Sequence, residues 1–569
     1  MSNASISLRE GRRRRLFRAG GALSLLVGSA FVSLAAATSA SAATLTVCHV
    51  GCAYTQIAPA IAAASNGDTI SVGPGTYFGG FTIDENLMLN GAGAQRTIIS
   101  GGGPVITVGS FTATLEPSVS ITGVTITNGV TNSSPISTAY VGEEGVIAYG
   151  GGIFIPPTED FATGATLTVS NSVITDNTAA PTTSVDAGFS CGTQDCQFAQ
   201  GGGGGIDNWG ILTVDNTIVS DNEAGGPLAS DADGAGIYTQ EGALNLNNSV
   251  VTGNRAIAVA PNGRFAEGAG IMFDTTVSAG ACTPCTLSLR DTTVSHNSSS
   301  LTNNTLPASV GAQGNMGANA GGVHVGDGIS TTVENTSIDS NLVTATDPQG
   351  EGTAIDAGMI VGYSPLIMSD TQVDYNQTTT TSLTTADVGP DGDALELDGG
   401  GRISNTSIDD NFDLQTSPSG LADTNGGLFV SYFGNPGGPQ LVTVQDSDIS
   451  GNFTESISET GSAQVEGGAV FNDSLLLMRN DQVSDNVVRA EGPSGHAQGG
   501  GIWNGFDAVT GSSPPVQLTL VNTSVTHNVL QGGQGVSLQG GGLFTASPAT
   551  LTLTDSQIAF NRPDQCFGC

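Results

Sequence analysis

The chain has 569 residues, of which 38% are hydrophobic and 5% aromatic, and its 51 acidic and 14 basic residues give a formal net charge of −37. Such an acidic surface repels nucleic acid and anionic membranes, so the composition argues against both as partners. The 82 glycines favour a structure with many tight turns.

The N-terminus predicts an export signal. A cluster of arginines ending at Arg18 precedes an apolar run from Gly20 to Ala37, and the small residues Ala40–Ala42 follow. This is the pattern of a secretory signal peptide, so residues 1–42 are expected to be removed. No later apolar stretch is long enough to cross a bilayer. The mature chain is therefore expected to be secreted or held at the cell surface after bacterial-type export.

Residues 43–130 are predicted to form an N-terminal cap and the first coils of a repeat structure. The Ala-rich stretch 57–64 has the pattern of a short amphipathic helix, placed before the first strand, where it would cover the open end of the first coil. Segments 67–93 and 119–129 then alternate strand and turn residues in a loose register and account for about three coils.

Residues 131–569 carry a regular repeat. Eleven copies of one eleven-residue pattern read apolar, any, apolar, any, Asn or Asp, small polar, any, Ile or Val, any, any, Asn. Each copy and the Gly-rich run before it contain three strand-sized apolar segments, as in residues 237–252. The copies close at Asn177, Asn222, Asn254, Asn297, Asn341, Asn376, Asn411, Asn452, Asn486, Asn528 and Asn561.

The repeat predicts an all-β, right-handed parallel β-helix, a solenoid of about fourteen coils with a short N-terminal capping helix. One coil cannot bury its apolar face alone, so the coils must stack. A β-propeller would need about four antiparallel strands per repeat, and the copies show three. The closing asparagines are interpreted as a structural column that accepts left-handed backbone and forms amide hydrogen bonds along the stack.

The eight cysteines all follow the predicted cleavage site and form four close pairs. An even number of cysteines in an exported chain predicts local disulfides. The two CxxC pairs lie about six coils apart, roughly 30 Å, so they cannot share one zinc ion. The predicted disulfide pairs are Cys48 with Cys52, Cys191 with Cys196, Cys282 with Cys285, and Cys566 with Cys569.

Segment 67–77, followed by a strand and the motif NGAG, resembles the opening coils of the pectin-lyase-like right-handed β-helix superfamily. The alternation of GGGI with a closing xxN is similar to the repeats of polymorphic outer-membrane proteins, which are adhesins. The resemblance covers essentially the whole mature chain and implies the fold. It does not extend to the pectin-cleaving motifs, because the chain has no lysine and its nearest approach to Gly-His-Gly is Gly495-His496-Ala497.

One column of candidate ligand-binding residues follows the apolar residue of each Gly-run strand. If that apolar side chain points inward, the next one points outward, and stacked aromatic rings would suit sugars. The alternative is that the strand is flipped and the rings form an internal stack. The candidates for ligand binding are Tyr238, Phe429, Phe471, Trp503 and Phe544, in a column that also holds Phe154, Asp207, Met272, His324 and Ile360.

A second column lies two residues before each closing Asn. Eight of its eleven members are small and uncharged, but three successive coils have Asp339, Asp374 and Asp409. Coil stacking would place neighbouring carboxylates about 5 Å apart, so either one pKa rises or a cation binds among them. These three aspartates and the adjacent Asp410 are the predicted catalytic residues of a glycosidase.

Calcium is the alternative occupant of this column. Oxygen ligands from clustered carboxylates suit Ca²⁺. The predicted ligands are Asp374, Asp409, Asp391 and Asp393, the last two from a nearby acidic run.

Two functions follow from the sequence. The first is a secreted or cell-surface protein that binds extracellular glycan or another surface without catalysis, as adhesins do; it is favoured because the expected catalytic motifs are absent. The second is a polysaccharide-active glycoside hydrolase or, less favoured, a calcium-dependent lyase. Both are expected to act as monomers.

Overall fold

The computed structural model describes residues 42–112, 116–133, 146–158, 163–182, 199–259, 265–275, 284–302, 316–347, 352–382, 392–432, 438–506 and 515–569. The predicted export signal lies outside these residues, except for Ala42. Residues from Ala42 to Cys569 form one compact unit. In the described part of the chain, no helix is both long and apolar enough to span a membrane.

The unit is a right-handed parallel β-helix, which confirms the predicted fold. A complete coil has five strands, each paired in parallel with the strand one coil above or below. We number the sheets 1 to 5 in the order in which a coil visits them, starting from the strand of the repeat pattern. One such coil runs through Ala243–Asn247, Val250–Thr252, Arg255–Ala258, Phe265–Glu267 and Ile271–Phe273.

The five sheets run along the stack. Sheet 1 has fifteen strands, Thr44–Val47, Asp68–Val72, Leu87–Gly91, Ser118–Thr122, Thr166–Ser170, Ile211–Asp215, Ala243–Asn247, Thr286–Arg290, Ser330–Glu334, Leu366–Ser369, Gly401–Ser404, Leu441–Gln445, Leu475–Arg479, Gln517–Val521 and Thr550–Thr554. Sheet 2 has a block of eight, Gly75–Phe78, Thr97–Ser100, Thr125–Thr127, Val173–Thr175, Ile218–Ser220, Val250–Thr252, Thr293–Ser295 and Ser337–Asp339, and a block of four, Asp448–Ser450, Gln482–Ser484, Ser524–Thr526 and Gln557–Ala559. Sheet 3 has eleven, Val130–Thr131, Thr178–Ala179, Glu223–Gly226, Arg255–Ala258, Ser298–Thr302, Leu342–Asp347, Gln377–Ser382, Phe412–Ser417, Phe453–Ser458, Val487–Glu491 and Val529–Gly532.

The remaining two sheets complete the coil. Sheet 4 has a block of six, Val146–Tyr149, Ala199–Gly202, Asp231–Asp233, Phe265–Glu267, Met316–Asn319 and Gly352–Ile355, and a block of four, Leu421–Thr424, Ser462–Glu466, Ser494–Gln498 and Val536–Gln539. Sheet 5 has fourteen, Phe81–Ile83, Ile106–Val108, Ile153–Ile155, Ile206–Asn208, Ile237–Thr239, Ile271–Phe273, Val323–Val325, Met359–Val361, Leu395–Leu397, Leu428–Val430, Val470–Asn472, Ile502–Asn504, Leu543–Thr545 and Cys566–Phe567.

Alternation along each strand builds the core. Leu244 and Leu246 in sheet 1 are fully buried, whereas Asn245 between them is partly exposed. The same rule buries Val251 in sheet 2 and Ile271 in sheet 5, and the buried apolar residues of these three sheets join in one core that runs through the stack. Full burial of one such side chain stabilises the fold by about 1.5–3 kcal/mol.

The closing asparagines form the predicted hydrogen-bonded column. Asn254, for example, donates from Nδ2 to the Asn297 Oδ1 atom at 2.9 Å and accepts a bond from the Asn222 Nδ2 atom at 2.9 Å. The expected left-handed backbone, however, belongs to the residue before each closing Asn, as in Asp176 and Asp221, both at φ 55°. The asparagine is therefore selected for its buried amide, and the preceding residue makes the turn.

The prediction of three strands per coil was wrong, because sheets 3 and 4 add two more. Their inward positions carry small side chains such as Ala224, Ala232 and Ala266, which pack into a second cluster beside the main core. Short alanine and glycine strands bury little apolar surface and lack the Val, Ile and Leu alternation that marks sheets 1 and 2.

The predicted helix is present over Ile57–Ile61. It does not precede the first strand, as expected, because Thr44–Val47 already lies before it. Ile57 and Ala60 are buried in the main core, and the helix contacts the first two strands of sheet 1.

Two of the predicted disulfides lie wholly within the described residues. Cys48 is bonded to Cys52, with their Cα atoms 5.4 Å apart, and Cys566 is bonded to Cys569. Cys285 is also in a disulfide, while its expected partner Cys282 lies outside the described residues. The pair Cys191 and Cys196 also lies outside them.

Candidate functional site

The aspartate column predicted from the sequence lies where sheet 2 is interrupted. Between the strands Ser337–Asp339 and Asp448–Ser450, two coils keep only isolated bridges, at Gln372 and Ser407. Asp374 and Asp409 belong to these two coils, and Asp339 ends the last strand of the first block. The three aspartates therefore lie on successive coils, as expected.

Hydrogen bonds give Asp374 and Asp409 a structural role. The Asp409 backbone N–H donates to the Asp374 Oδ1 atom at 3.0 Å, and the Ser450 backbone N–H donates to the Asp409 Oδ1 atom at 2.7 Å. Each carboxylate thus accepts a backbone N–H of the next coil in a region where the strand pairing is broken. Asp339 instead accepts a bond from the Ser337 hydroxyl at 2.7 Å, within its own coil.

Burial raises the pKa of two members of this column. Desolvation raises the pKa of Asp374, opposed by its bonds to the Asp409 backbone and Ser407. Desolvation also raises the pKa of Asp409 to about 6, opposed by Ser450. Asp410 is exposed at φ 55° and forms a hydrogen bond with the Tyr375 hydroxyl. A catalytic role for these four residues stays a prediction.

The predicted calcium ligands do not share one environment. Asp374 and Asp409 are half-buried on the outer face, whereas Asp393 is 1% exposed and lines a small internal cavity with Asp413. Asp391 lies outside the described residues. Across the described ranges, no group of three or more His, Cys, Asp or Glu side chains is arranged to hold a metal ion.

The aromatic column points away from the main core, but its rings are covered. Tyr238, Phe471, Trp503 and Phe544 are between 3% and 7% exposed, and Phe429 is half-buried. Near the C-terminal end the rings pack on one another, with Phe471 and Trp503 stacked at 4.3 Å between centroids. The strands are not flipped, yet little ring surface is left for a sugar.

The same outward face of sheet 5 holds a polar cluster that the sequence analysis did not identify as a site. We call it the acidic corner and define it by Asp207, Asp233, Tyr238, Glu267, Asp274 and His324. Asp233 and Glu267 are outward side chains of sheet 4. Asp207, Tyr238 and His324 lie on strands of sheet 5, and Asp274 lies in the turn directly after one of these strands. Gly202 admits this close approach, because a Cβ there would lie 2.7 Å from Tyr238 Cδ1.

The acidic corner has a buried back and a more open front. Asp207, Asp233 and Tyr238 are at most 5% exposed, whereas Glu267, Asp274 and His324 are half-buried and retain contact with solvent. At the back, Gln200 donates to Asp233, and Gln240 donates to the Asp207 Oδ2 atom at 3.3 Å. Glu267, Asp274 and His324 are thus the members of the corner with the most exposed surface.

Desolvation controls protonation throughout the corner. Burial raises the pKa values of Asp207 and Asp233 well above the usual range, and neighbouring carboxylates raise that of Asp233 further. Burial, with the charge of Asp274, raises the pKa of Glu267 to about 8, although Asn319 Nδ2 donates to Glu267 Oε1 at 2.6 Å. Glu267 therefore carries a proton at neutral pH.

Asp274 and His324 form the other half of the front. Burial raises the pKa of Asp274, but His324 and the Thr275 backbone N–H, 2.7 Å from Asp274 Oδ1, oppose this rise. Burial lowers the pKa of His324, opposed by Asp274 and Asp327. The His324 Nδ1 atom is buried and, within the described chain, has no hydrogen-bond partner. The corner thus pairs Glu267, whose pKa is raised to about 8, with a second carboxyl group whose pKa is raised by burial and lowered by His324 and the Thr275 backbone N–H.

The sequence did contain a signal for this site. Between Phe154 and Phe544, Asp207, His324 and Glu396 are the ionisable residues other than tyrosine in a column otherwise made of apolar and aromatic side chains. A charged residue placed where its neighbours on both sides are buried must itself be desolvated, and desolvated titratable groups concentrate at functional sites.

The raised pKa values predict that the protein loses stability as pH rises. A carboxyl group whose pKa is higher in the folded chain than in the unfolded chain favours folding while it is protonated, and this contribution is lost as pH rises through the folded-state value. Glu267 at about 8, Asp481 at about 7 and Asp409 at about 6 all act in this direction. Urea unfolding is expected to show greater stability near about pH 5 than near about pH 8. Glu267→Gln should flatten the dependence in that interval, and an unchanged slope would contradict the assignment.

Comparisons with known proteins identify no family. No protein-family model matches the chain, and no curated protein matches it. Among solved structures, the A-module of a mannuronan C-5 epimerase from Azotobacter vinelandii is 13% identical, with 89% of this chain and 94% of that chain covered and a TM-score of 0.24. An alginate lyase of the PL6 family is 10% identical, with 90% and 100% covered and a TM-score of 0.13. Both are parallel β-helices, and superpositions this poor support no argument about activity.

Proposed function

We propose that the protein is an exported glycoside hydrolase that acts on extracellular polysaccharide, with Glu267 and Asp274 as its acid and base. The observation that carries this proposal is a pair of neighbouring carboxyl groups at the half-buried front of the acidic corner: Glu267, whose pKa is raised to about 8, is assigned the protonated role, and Asp274, whose pKa His324 and the Thr275 backbone N–H lower against the effect of burial, is assigned the ionised role. Glycoside hydrolysis uses two carboxyl groups in these two protonation states.

Each front residue has a distinct role in this mechanism. Glu267 donates its proton to the oxygen of the leaving sugar, while Asn319 holds its carboxyl group in place. Asp274 acts as base or nucleophile on the opposite side of the scissile bond, and the Thr275 backbone N–H orients it. The lowered pKa of His324 keeps its ring mainly uncharged at neutral pH, so that it adds little positive charge to the front.

The charge state of the corner favours a neutral glycan. Burial raises the pKa values of Asp207 and Asp233 well above the usual range and that of Glu267 to about 8, which favours the uncharged forms and reduces the charge that the site presents. The acidic exterior repels polyuronates, since the whole chain has a net charge of −37. A hydroxyl-rich, uncharged polysaccharide fits both conditions.

A product assay tests the proposal against its alternatives. The exported chain is incubated with xylan, mannan, mixed-linkage glucan and alginate, and both reducing ends and unsaturated products are measured. New reducing ends without unsaturation from a neutral glycan are expected. Unsaturated products would identify a lyase, and binding without new reducing ends would support the non-catalytic adhesin-like function instead.

A further inference from the structure

A second polar surface lies away from the acidic corner, along the turn between sheets 1 and 2. It is a groove of about 1330 Å³ that crosses successive coils from Asn248 to Ser524. The described residues that line it are Asn, Asp, Gln, Ser and Thr only, among them five aspartates. The groove therefore offers hydroxyl, amide and carboxylate groups and no apolar pocket.

One wall of the groove is an exposed ladder in which Asn and Asp alternate. Asn335 Nδ2 donates to Asp291 Oδ1 at 2.5 Å, and Asn480 Nδ2 donates to Asp446 Oδ1 at 2.9 Å. These residues have left-handed backbone, with φ between 47° and 59°. An amide between successive carboxylates keeps like charges two coils apart.

Two aspartates on the floor depart from the pattern of the other coils. The position after the ladder residue is Thr or Ser in the neighbouring coils, as in Thr406 and Ser447, but is Asp481 in the next. Asp481 is 3% exposed, and its Oδ1 atom accepts the Ser447 backbone N–H at 2.9 Å, while its Oδ2 atom has no hydrogen-bond partner within the described chain. Asp448, which begins the strand Asp448–Ser450 of sheet 2, also lines the groove. Its Oδ1 atom likewise lacks a hydrogen-bond partner among the described residues.

We propose that this groove binds a linear glycan that carries amino groups, a polymer of glucosamine units lying along the helix axis. An ammonium group has three donors and no acceptor, which matches the unpartnered oxygens of Asp448 and Asp481. The coils repeat every ~4.8 Å, so equivalent hydroxyl and amide groups recur along an extended polymer. The site is independent of the hydrolytic activity proposed above.

The chemistry of the groove favours this occupant over a metal ion or a basic peptide. Its aspartates do not form a metal-ligating group of three in the described structure. A peptide that is recognised through apolar side chains needs apolar pockets, and this surface has only polar lining residues. The desolvated Asp481, whose pKa is raised to about 7 mainly by burial, would gain from a nearby cation.

Calorimetry with a fully deacetylated glucosamine hexamer tests the site. The variant that combines Asp448→Asn with Asp481→Asn is expected to lose about tenfold or more in affinity. Asp446→Asn, on the exposed wall, tolerates the left-handed backbone and should weaken binding without disturbing the floor. Asp176→Asn is the matched control, because Asp176 is exposed, has φ 55° and does not line the groove. Circular dichroism confirms that each variant is folded.

Each outcome decides the proposal. Weaker binding of the fully N-acetylated hexamer supports the role of the charge, and equal binding of the two hexamers overturns it. If neither the Asp448/Asp481 double variant nor Asp446→Asn changes the affinity, the glycan binds elsewhere and the proposal is wrong. If decalysine binds and loses affinity in the groove variants, while the glucosamine hexamer does not bind, the ligand of the groove is a basic peptide and the proposal of a glycan is wrong.

Discussion

Glu267→Gln is expected to reduce the hydrolysis rate on a responsive polysaccharide by about 10²–10⁴-fold. Glutamine preserves the shape of the side chain and its acceptor for Asn319 Nδ2, but it has no proton of suitable acidity to give to the leaving oxygen. KM should change little, because the polar contacts in the ground state are retained. The measurement is the steady-state release of reducing ends, compared with the unmodified chain.

Asp274→Asn should cause a loss of similar size, and the double variant should lose little more than either single variant, because residues that act as a unit are non-additive. Glu334→Gln provides a matched control, since Glu334 is paired with Arg290 on the exposed face of sheet 1 and is not a member of the acidic corner. Full activity in both Glu267→Gln and Asp274→Asn would remove the acidic corner as the catalytic centre.

Asn254→Ala is expected to lower the free energy of unfolding by about 2–5 kcal/mol. The Asn254 side chain accepts bonds from the Asn222 backbone N–H at 3.1 Å and the Asn222 Nδ2 atom at 2.9 Å. It donates to the Val219 carbonyl oxygen at 3.1 Å and to Asn297 Oδ1 at 2.9 Å. Alanine removes all four bonds where water cannot replace the amide, although Asn222 Nδ2 keeps its bond to the Ile174 carbonyl oxygen and Asn297 Oδ1 keeps its bond from the backbone N–H of residue 254. Urea unfolding followed by circular dichroism measures the effect.

Asn247→Ala is the control for the buried column. Asn247 is half-buried at the end of a strand in sheet 1. Its one side-chain hydrogen bond, to Asp215 Oδ1 at 2.7 Å, is more exposed to solvent than the bonds of the buried Asn254. Its loss should cost less than about 1 kcal/mol. Equal effects of the two variants would mean that burial of the column contributes nothing to stability.

The sequence predicted those parts of the fold in which each coil repeats a strong apolar pattern. Sheets 1, 2 and 5 and the asparagine column could be identified because Val, Ile, Leu and Asn recur at fixed spacing. Sheets 3 and 4 could not, because their strands bury small side chains such as Ala232 and Ala266 and follow insertions of variable length. Fold recognition therefore succeeded with only part of each coil assigned.

The acidic corner could not be assembled from the sequence for the same reason. Asp233 and Glu267 lie on sheet 4, whose register was not recognised, and they meet Tyr238 and Asp274 only through the bend between sheets 4 and 5. The aspartates 339, 374 and 409 were visible because they share one register position. Regular spacing revealed side chains that support the coil, while the pair proposed for catalysis comes from different sheets.

The alternating ladder on the groove wall limits how the solenoid can change length. Deleting the coil that carries Asn335 would stack Asp291 directly on Asp370, two carboxylates ~4.8 Å apart with no amide between them. Deleting a coil that carries an aspartate instead brings two asparagines together, an arrangement already present where Asn248 donates to Asn216. In this ladder, the loss of the Asp291, Asp370 or Asp446 coil alone is therefore expected to bring no carboxylates together, whereas the Asn335 and Asn405 coils, each between two aspartates, would have to be lost together with a neighbour.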